Sequence, residues 1–230
     1  MTLVAERLVQ VLNGIAHEAR ACGREPSAVR LIAVSKTKPA SMIREAFAAG
    51  QRDFGENYVQ ELLAKAEELR DLSGIRWHMI GHLQRNKARH VVRAAHVVHT
   101  VDSAALAREL NARLSAEGRC LPVLIEVNIA GEASKSGCSP DEAATLCREI
   151  GELDFLQLRG LMAVPPATAD PSASRPHFER LAQLRDSLGG AELLPELSMG
   201  MSDDMSEAIR AGATWVRVGT AVFGARERRG

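Results

Sequence analysis

The chain has 230 residues, of which 46% are apolar and 25% are charged, a composition typical of a soluble globular protein. Lysine plus arginine and aspartate plus glutamate number 29 each, so the chain has no overall field that would attract a nucleic acid or an anionic membrane. The sequence has no 18-residue apolar run, and Glu6 and Arg7 interrupt any signal-peptide pattern. We therefore expect a cytoplasmic protein without a nucleic-acid or membrane partner.

Short β-rich runs alternate along the chain with segments whose apolar residues recur at helical spacing. The sequence predicts strands over 29–36, 52–57, 76–83, 97–103, 121–129, 156–165, 195–200 and 215–224. It predicts one helix before the first strand, over 3–21, and further helices over 40–49, 57–70, 84–94, 104–117, 140–152, 177–188 and 203–211.

This alternation of strands and helices predicts a parallel sheet, and eight strands are the number that closes a TIM-type (β/α)8 barrel. An open doubly wound sheet is the alternative, but no G-x-G-x-x-G follows the first strand. No covering helix is predicted after the eighth strand, and the extra N-terminal helix over 3–21 is expected to fill that gap. We expect a single barrel domain over residues 1–230.

The segment 198–224 predicts a phosphate-binding cup. Its small residues at the ends of strands 7 and 8 are Ser198, Gly200, Ser202, Gly219 and Thr220. Glycines let backbone N–H groups approach a ligand closely, and a helix N-terminus favours an anion. In barrels of this kind the loops after strands 7 and 8 often hold a phosphate. Ser202 is equally well interpreted as the N-cap of the helix that starts near Asp203.

Two cationic side chains are predicted at the same rim of the barrel. Lys36 follows Ile32 and Val34 at a spacing of two, so it shares their face and points into the barrel mouth. Surroundings of low polarity favour the neutral form of the Lys36 amine, which can condense with a carbonyl. The alternative interpretation is an ordinary lysine at the protein surface. Arg217 precedes Gly219 by two residues and either forms a buried ion pair or keeps a neighbouring pyridine nitrogen unprotonated.

The histidines and cysteines do not predict a metal site. The sequence has neither H-E-x-x-H nor a Cys/His cluster at zinc spacing. His78 and His82 are four residues apart in a predicted strand, which does not hold such residues together as a helix would. The cysteines are expected to be inert thiols. We therefore expect no bound metal ion.

A phosphate cup, an aldehyde-accepting lysine and an arginine together describe a site for pyridoxal 5′-phosphate (PLP). Eight motifs in chain order resemble the YggS/PROSC family of PLP homeostasis proteins. They are AVSKTKP (33–39), FGENYVQE (54–61), WHMIGHLQRNK (77–87), HTVDS (99–103), VNIAGEASKSG (127–137), RGLMAVPP (159–166), SMGMSDD (198–204) and VRVGTAVFGAR (216–226). Each motif is weak alone, but the ordered set covers nearly the whole chain and is highly specific.

The resemblance implies a PLP-bearing barrel of fold type III, similar to the N-terminal domain of alanine racemase and without its C-terminal β domain. It implies that Lys36 carries PLP as a Schiff base, that Arg217 faces the pyridine nitrogen and that Asn57 packs beside the ring. The expected phosphate-binding residues are Ser198, Met199, Gly200, Gly219 and Thr220, with Ser202 in the same cup. His82 is expected to have a supporting role at the rim.

The resemblance also suggests a protein without robust turnover. Alanine racemases take a second base, a tyrosine, from an additional domain, whereas the single tyrosine here is Tyr58, next to Asn57, and the chain ends at Gly230. We expect a monomer that binds PLP, acts in vitamin B6 homeostasis and passes cofactor to PLP-dependent apoenzymes. A weak PLP-dependent amino-acid racemase is the alternative, and an aldolase-type phosphosugar enzyme using Lys36 is a third.

Overall fold

The computed structural model describes residues 2–132 and 135–225. Parts of the motifs VNIAGEASKSG and VRVGTAVFGAR, and the two ends of the expected domain over 1–230, lie outside the described residues. Eight parallel strands form a closed barrel in which neighbouring strands follow the order of the chain. They are β1 (Arg30–Val34), β2 (Asp53–Glu56), β3 (Arg76–Met79), β4 (Val97–Val101), β5 (Leu121–Glu126), β6 (Leu156–Met162), β7 (Glu196–Ser198) and β8 (Trp215–Val218). The predicted barrel is confirmed.

Helices surround the barrel in the described part of the chain. They are α1 (Leu3–Ala21), α2 (Ala40–Ala48), α3 (Val59–Glu68), α4 (Ala88–Ala94), α5 (Ala104–Glu117), α6 (Pro140–Gly151), α7 (Arg175–Ser187), α8 (Gly190–Leu193), α9 (Met205–Arg210) and α10 (Thr220–Phe223). Local signals set several of their first residues. Ser139 and Glu142 form a reciprocal capping box at the start of α6, and Ser103 caps α5 by accepting from the N–H of Leu106.

The eighth strand is shorter than the sequence predicts. It ends at Val218, where its pairing with Ala33 of β1 stops. The carbonyl of Gly219 then accepts hydrogen bonds from the N–H groups of Val222 and Phe223. The chain therefore turns into α10, and the strand predicted over 215–224 is wrong beyond Val218.

Helix α1 occupies the gap left beside β8. It packs against α2, α9 and the short α10, so it covers the place where the first and last strands meet. Its buried residues include Leu8, Val11 and Ile15, which repeat at helical spacing and join the same apolar core as Leu31 and Ala33 of β1. The predicted role of the N-terminal helix is confirmed. None of the helices in the described ranges is long and apolar enough to cross a bilayer.

The barrel interior holds a chain of polar side chains below the rim. His78 on β3 lies against Trp215 on β8, with ring centroids 5.1 Å apart, so its ring crosses the interior. Its Nε2 is 3.0 Å from Asp53 Oδ1, and its Nδ1 is 2.9 Å from Nε2 of His99. Burial holds the pKa of His99 well below its usual range, so this imidazole is neutral. The His78 side chain therefore lies in the barrel interior and does not contact His82.

We expect Gly160→Ala to destabilise the barrel at the junction of β6 and β7. A Cβ atom at Gly160 would lie 1.8 Å from the carbonyl oxygen of Glu196, so the two strand backbones would have to separate. The free energy of unfolding should fall by about 3 kcal/mol, the upper range for overpacking. Urea unfolding measures this change. Gly151→Ala is the control, because a Cβ there meets no atom within 4 Å, and equal losses in both variants would contradict the close approach.

Candidate functional site

The carboxyl ends of the strands form one rim of the barrel, and Lys36 emerges there from β1. It lies two residues beyond Val34, the last residue of the strand, and is half-buried. The preceding residue, Ser35, remains attached to the sheet because its N–H donates to the carbonyl of Gly55 on β2 at 3.0 Å. Lys36 therefore lies at the rim just beyond β1, not within the strand predicted over 29–36, and its direction into the barrel mouth stays a prediction.

A buried ion-pair network lies directly behind Lys36. Lys65 of α3 contacts Glu56 Oε1 and the carbonyl of Ser35, each at 2.7 Å. The Ser35 hydroxyl donates to the same oxygen of Glu56, also at 2.7 Å. Glu56 is fully buried, and Lys65 is 7% exposed. This network ties the end of β1 to β2 and α3, and so fixes the backbone from which Lys36 projects.

Thr37, immediately after Lys36, has a backbone conformation that β-branched residues rarely adopt. Its φ is 63°, and such a conformation stores about 1–3 kcal/mol of strain. The conformation is held by Glu61, whose Oε2 accepts from the N–H of Thr37 at 2.7 Å and lies 2.9 Å from Lys65 Nζ. The chain therefore bends sharply at the residue after the lysine, held by the same network.

The two carboxylates of this network differ in their electrostatic environment. Burial raises the pKa of Glu56, and the attraction of Lys65 offsets only part of that effect. For Glu61, burial acts in the same direction but is outweighed by the hydrogen bonds from Lys65 and the N–H of Thr37, so its pKa is lowered. Sequence reasoning missed these side chains as supports of Lys36, although Glu56 and Glu61 stand in the motif FGENYVQE.

Arg217 lies inside the barrel mouth with its guanidinium buried. It is 5% exposed, and it donates to the Ser198 hydroxyl at 2.8 Å and to the carbonyl of Ala163 at 3.0 Å. Burial lowers the pKa of Arg217 to about 10, so the group remains charged at neutral pH. Of the two predicted roles, the buried ion pair is not found among the described residues, since both partners of Arg217 are neutral.

The predicted phosphate cup lies at the ends of β7 and β8. Gly200 has a φ of +89°, and a Cβ there would lie 2.4 Å from the Cβ of Ala208. A Cβ at Gly219 would meet the carbonyl oxygen of Val34 at 3.1 Å, so β8 approaches β1 closely beside Lys36. Thr220 is exposed and begins α10. Glycine at both turns thus permits close backbone packing around the expected cup.

Two of the residues predicted in the cup contact β8, and a third lies in the turn before α9. Ser198 is fully buried beside Arg217, and the N–H of Met199 donates to the carbonyl of Trp215, so these residues hold the cup from below. Ser202 is half-buried in the turn before α9. Asp204 is the N-cap of that helix, and its carboxylate accepts from the N–H of Met201 at 2.6 Å. The interpretation of Ser202 as an N-cap is wrong.

Asn57 follows β2 at the same rim and is half-buried. Gly81 allows the chain to come close at this point, because a Cβ on Gly81 would lie 2.3 Å from the carbonyl oxygen of Asn57. The next residue, His82, is 53% exposed at its side chain and lies 3.4 Å from Asp102, measured between His82 Nδ1 and Asp102 Oδ2. The ends of β2, β3 and β4 therefore complete the rim opposite the cup.

A cavity of about 1030 Å³ opens on the outer flank of the barrel, near α1, α2 and α10. Lys38 lines it and donates to the carbonyl of Ala225 at 2.7 Å. None of the predicted cofactor-binding residues lines this cavity. Its wall includes Glu61 and Lys65, so the network behind Lys36 separates this flank from the barrel mouth.

Comparison with known proteins identifies the family to which this chain belongs. The family described as alanine racemase, N-terminal domain, matches residues 12–227. The pyridoxal phosphate homeostasis protein of Pseudomonas aeruginosa is 49% identical over 99% of this chain and 97% of its own length. The protein of that name from Escherichia coli K12 is 46% identical over 99% of this chain and 98% of its own length. The chain therefore belongs to the family of pyridoxal phosphate homeostasis proteins, built on the fold of the alanine racemase N-terminal domain.

Solved structures agree with this assignment. PipY of Synechococcus elongatus, determined with PLP bound, is 40% identical and covers 96% of this chain and 100% of its own, with a TM-score of 0.81. An alanine racemase from Clostridium difficile is 14% identical, covers 93% of this chain and 59% of its own, and has a TM-score of 0.74. At that identity the racemase shows a common fold alone.

We expect Lys65→Met to lower the free energy of unfolding by about 3–5 kcal/mol, because it leaves the buried carboxylate of Glu56 without its counter-ion. Urea unfolding measures the loss. Arg70→Met is the matched control, since its ion pair with Glu67 is exposed and should contribute less than about 1 kcal/mol. Equal effects of both substitutions would show that the network behind Lys36 does not stabilise the fold.

Proposed function

We propose that this protein binds PLP at the rim formed by β1, β7 and β8 and takes part in PLP and vitamin B6 homeostasis in the cell. The observation that carries this proposal is the approach of β8 to β1, which brings Gly219 close to Val34 and hence to the strand end that bears Lys36. A relative of 40% identity has been solved with PLP bound, which supports the same ligand here.

The residues at the rim are suited to hold the aldehyde and the phosphate of PLP. When bound, PLP supplies an aldehyde that condenses with a primary amine and releases water. Lys36 is the amine proposed to hold it in this way, as a Schiff base. Gly200, Gly219 and Thr220 would surround the phosphate, with Ser202 in the preceding turn. The buried Ser198 and Met199 would support the cup from the barrel side.

Arg217 and Asn57 would orient the ring. The guanidinium of Arg217 is buried and charged, and its partners are a hydroxyl and a carbonyl rather than a carboxylate. A fixed positive charge of this kind disfavours a proton on a neighbouring pyridine nitrogen. Asn57, at the end of β2, would pack beside the ring. Together these residues keep the cofactor in one orientation relative to Lys36.

We propose that residues 1–230 act as one PLP-binding barrel domain that carries the cofactor without robust turnover. The homeostasis names of the relatives at 46–49% identity support this role. Tyr58, the single tyrosine of the sequence, precedes α3 and is 56% exposed, in contrast to the enclosed position expected of a second catalytic base. We also propose that the protein is a monomer and that it passes PLP to apoenzymes.

The visible spectrum of the PLP-treated protein tests the role of Lys36. We expect a yellow protein whose absorption band is absent in Lys36→Ala, because the amine needed for condensation is lost. In the wild type, borohydride should remove the band, because it reduces the C=N bond to a secondary amine. Lys87→Ala is the control and should stay yellow. A wild-type protein that takes up no PLP would contradict the proposal, and sustained amino-acid racemisation dependent on Lys36 would favour the racemase alternative.

The phosphate cup is tested by Thr220→Val. A hydrogen bond to a charged group contributes about 1.5–3 kcal/mol, so loss of this hydroxyl should weaken PLP retention roughly 10- to 100-fold. Equilibrium dialysis followed by absorbance measures the retained cofactor. Thr145→Val, on the exposed face of α6, is the matched control. Unchanged retention in Thr220→Val would show that the end of β8 does not hold the phosphate.

A further inference from the structure

Three side chains that could bind a metal ion meet at the rim across from the phosphate cup. His82 follows β3, Asp102 follows β4, and Glu126 is the last residue of β5. One ligand atom from each of these residues lies within 4.8 Å of the other two. Because β3, β4 and β5 are consecutive strands of the closed barrel, this group faces the ends of β7 and β8 across the mouth.

Glu126 is a buried carboxylate that lacks a full set of partners. The residue is 7% exposed, and Oε1 accepts from the Ser136 hydroxyl at 2.8 Å. Its Oε2 is shielded from solvent and has no hydrogen-bond partner among the described residues. A buried polar atom without a partner is costly, and such atoms in native proteins call for an explanation such as a bound water or ion.

The charges around Glu126 favour the binding of a cation. A carboxylate oxygen of Glu126 and one of Asp102 lie within 4.8 Å of one another, so the two negative charges repel. Neither carboxylate forms an ion pair with a lysine or arginine in the described ranges, and His82 is the one basic side chain paired with Asp102. The guanidinium of Arg217 donates its hydrogen bonds to the Ser198 hydroxyl and the Ala163 carbonyl instead.

We propose that His82, Asp102 and Glu126 bind one divalent transition-metal ion, such as Mn²⁺ or Zn²⁺. One imidazole nitrogen and two carboxylate oxygens form a donor set that suits these ions and leaves coordination positions for water or an anionic ligand. The ion would neutralise both carboxylates, and it would give the unpartnered oxygen of Glu126 a neighbour. The half-exposed side chain of His82 provides a path of entry from solvent.

The surrounding hydroxyls are placed to orient these ligands. Ser136 holds Oε1 of Glu126, and the Ser103 hydroxyl donates to Asp102 Oδ1 at 3.0 Å, leaving Oδ2 directed at His82. Such outer contacts fix the direction of metal-binding carboxylates. The sequence predicted no metal site because its histidines lack zinc spacing. The proposed site instead combines one histidine with carboxylates from two other strands.

Titration of the full chain with Mn²⁺ tests this site, after treatment with a chelator and without added PLP. We expect one ion per chain, measured by the loss of the free-ion electron paramagnetic resonance signal, and displacement of Mn²⁺ by Zn²⁺. Glu126→Gln preserves shape and should weaken Mn²⁺ binding at least tenfold, as should His82→Asn. Glu152→Gln and His17→Asn alter exposed residues of the same types and should bind as the wild type does.

Thermal unfolding with and without Mn²⁺ guards against a variant that fails to fold. Ligand binding to the native state raises the melting temperature, so the same concentration of Mn²⁺ should raise the melting temperature of the wild type more than that of Glu126→Gln. No uptake by a folded wild type, or equal uptake by wild type and Glu126→Gln, would overturn the proposal. Since no PLP is added, either outcome is separate from the test of the cofactor site by absorbance.

Discussion

The pairing of β1 with β8 is the constraint on which the rest of the site depends. Ile32 lies opposite Arg217 and Ala33 opposite Val218, so the first and last strands are joined with a defined register. The same register brings Gly219 against Val34 at the rim. A lysine from the start of the chain and a glycine-rich turn from its end thereby come together, and α1 covers the junction from outside.

Buried charged groups have different partners on the two faces of the barrel wall. On the outer face, Glu56 and Lys65 neutralise one another between the strands and α3, and the pair holds the backbone of Lys36. On the inner face, Arg217 keeps its charge with neutral partners, and Glu126 forms no ion pair with a lysine or arginine of the described residues. Oε2 lacks a hydrogen-bond partner in both Glu56 and Glu126, so the ion pair with Lys65 is what distinguishes Glu56. An ion pair closed within the protein serves structure, whereas charges left open toward the mouth are available to ligands.

Much of the fold could be predicted because each element carries its own periodic signal. The alternation of strand and helix predicted the correct barrel. The spacing of Lys36 after Ile32 predicts that its side chain points into the barrel mouth, and this stays a prediction. The largest error falls where strand pairing overrides a local pattern. The apolar run after Gly219 resembles a continuing strand, but β1 offers no further pairing there, so the chain forms α10. At α9 the helix begins at Met205, later than predicted, so its N-cap is Asp204 rather than Ser202.

The sequence alone determined the class of fold, the family and the identity of the residues expected around PLP, because ordered motifs and hydrophobic periods are properties of neighbouring residues. Only the tertiary structure decided which distant groups meet. The support of Thr37 by Glu61 and the meeting of His82, Asp102 and Glu126 depend on strand register and helix packing. Such contacts follow from closure of the barrel, which brings together side chains that are far apart in the sequence. No local pattern in the sequence marks these residues as neighbours.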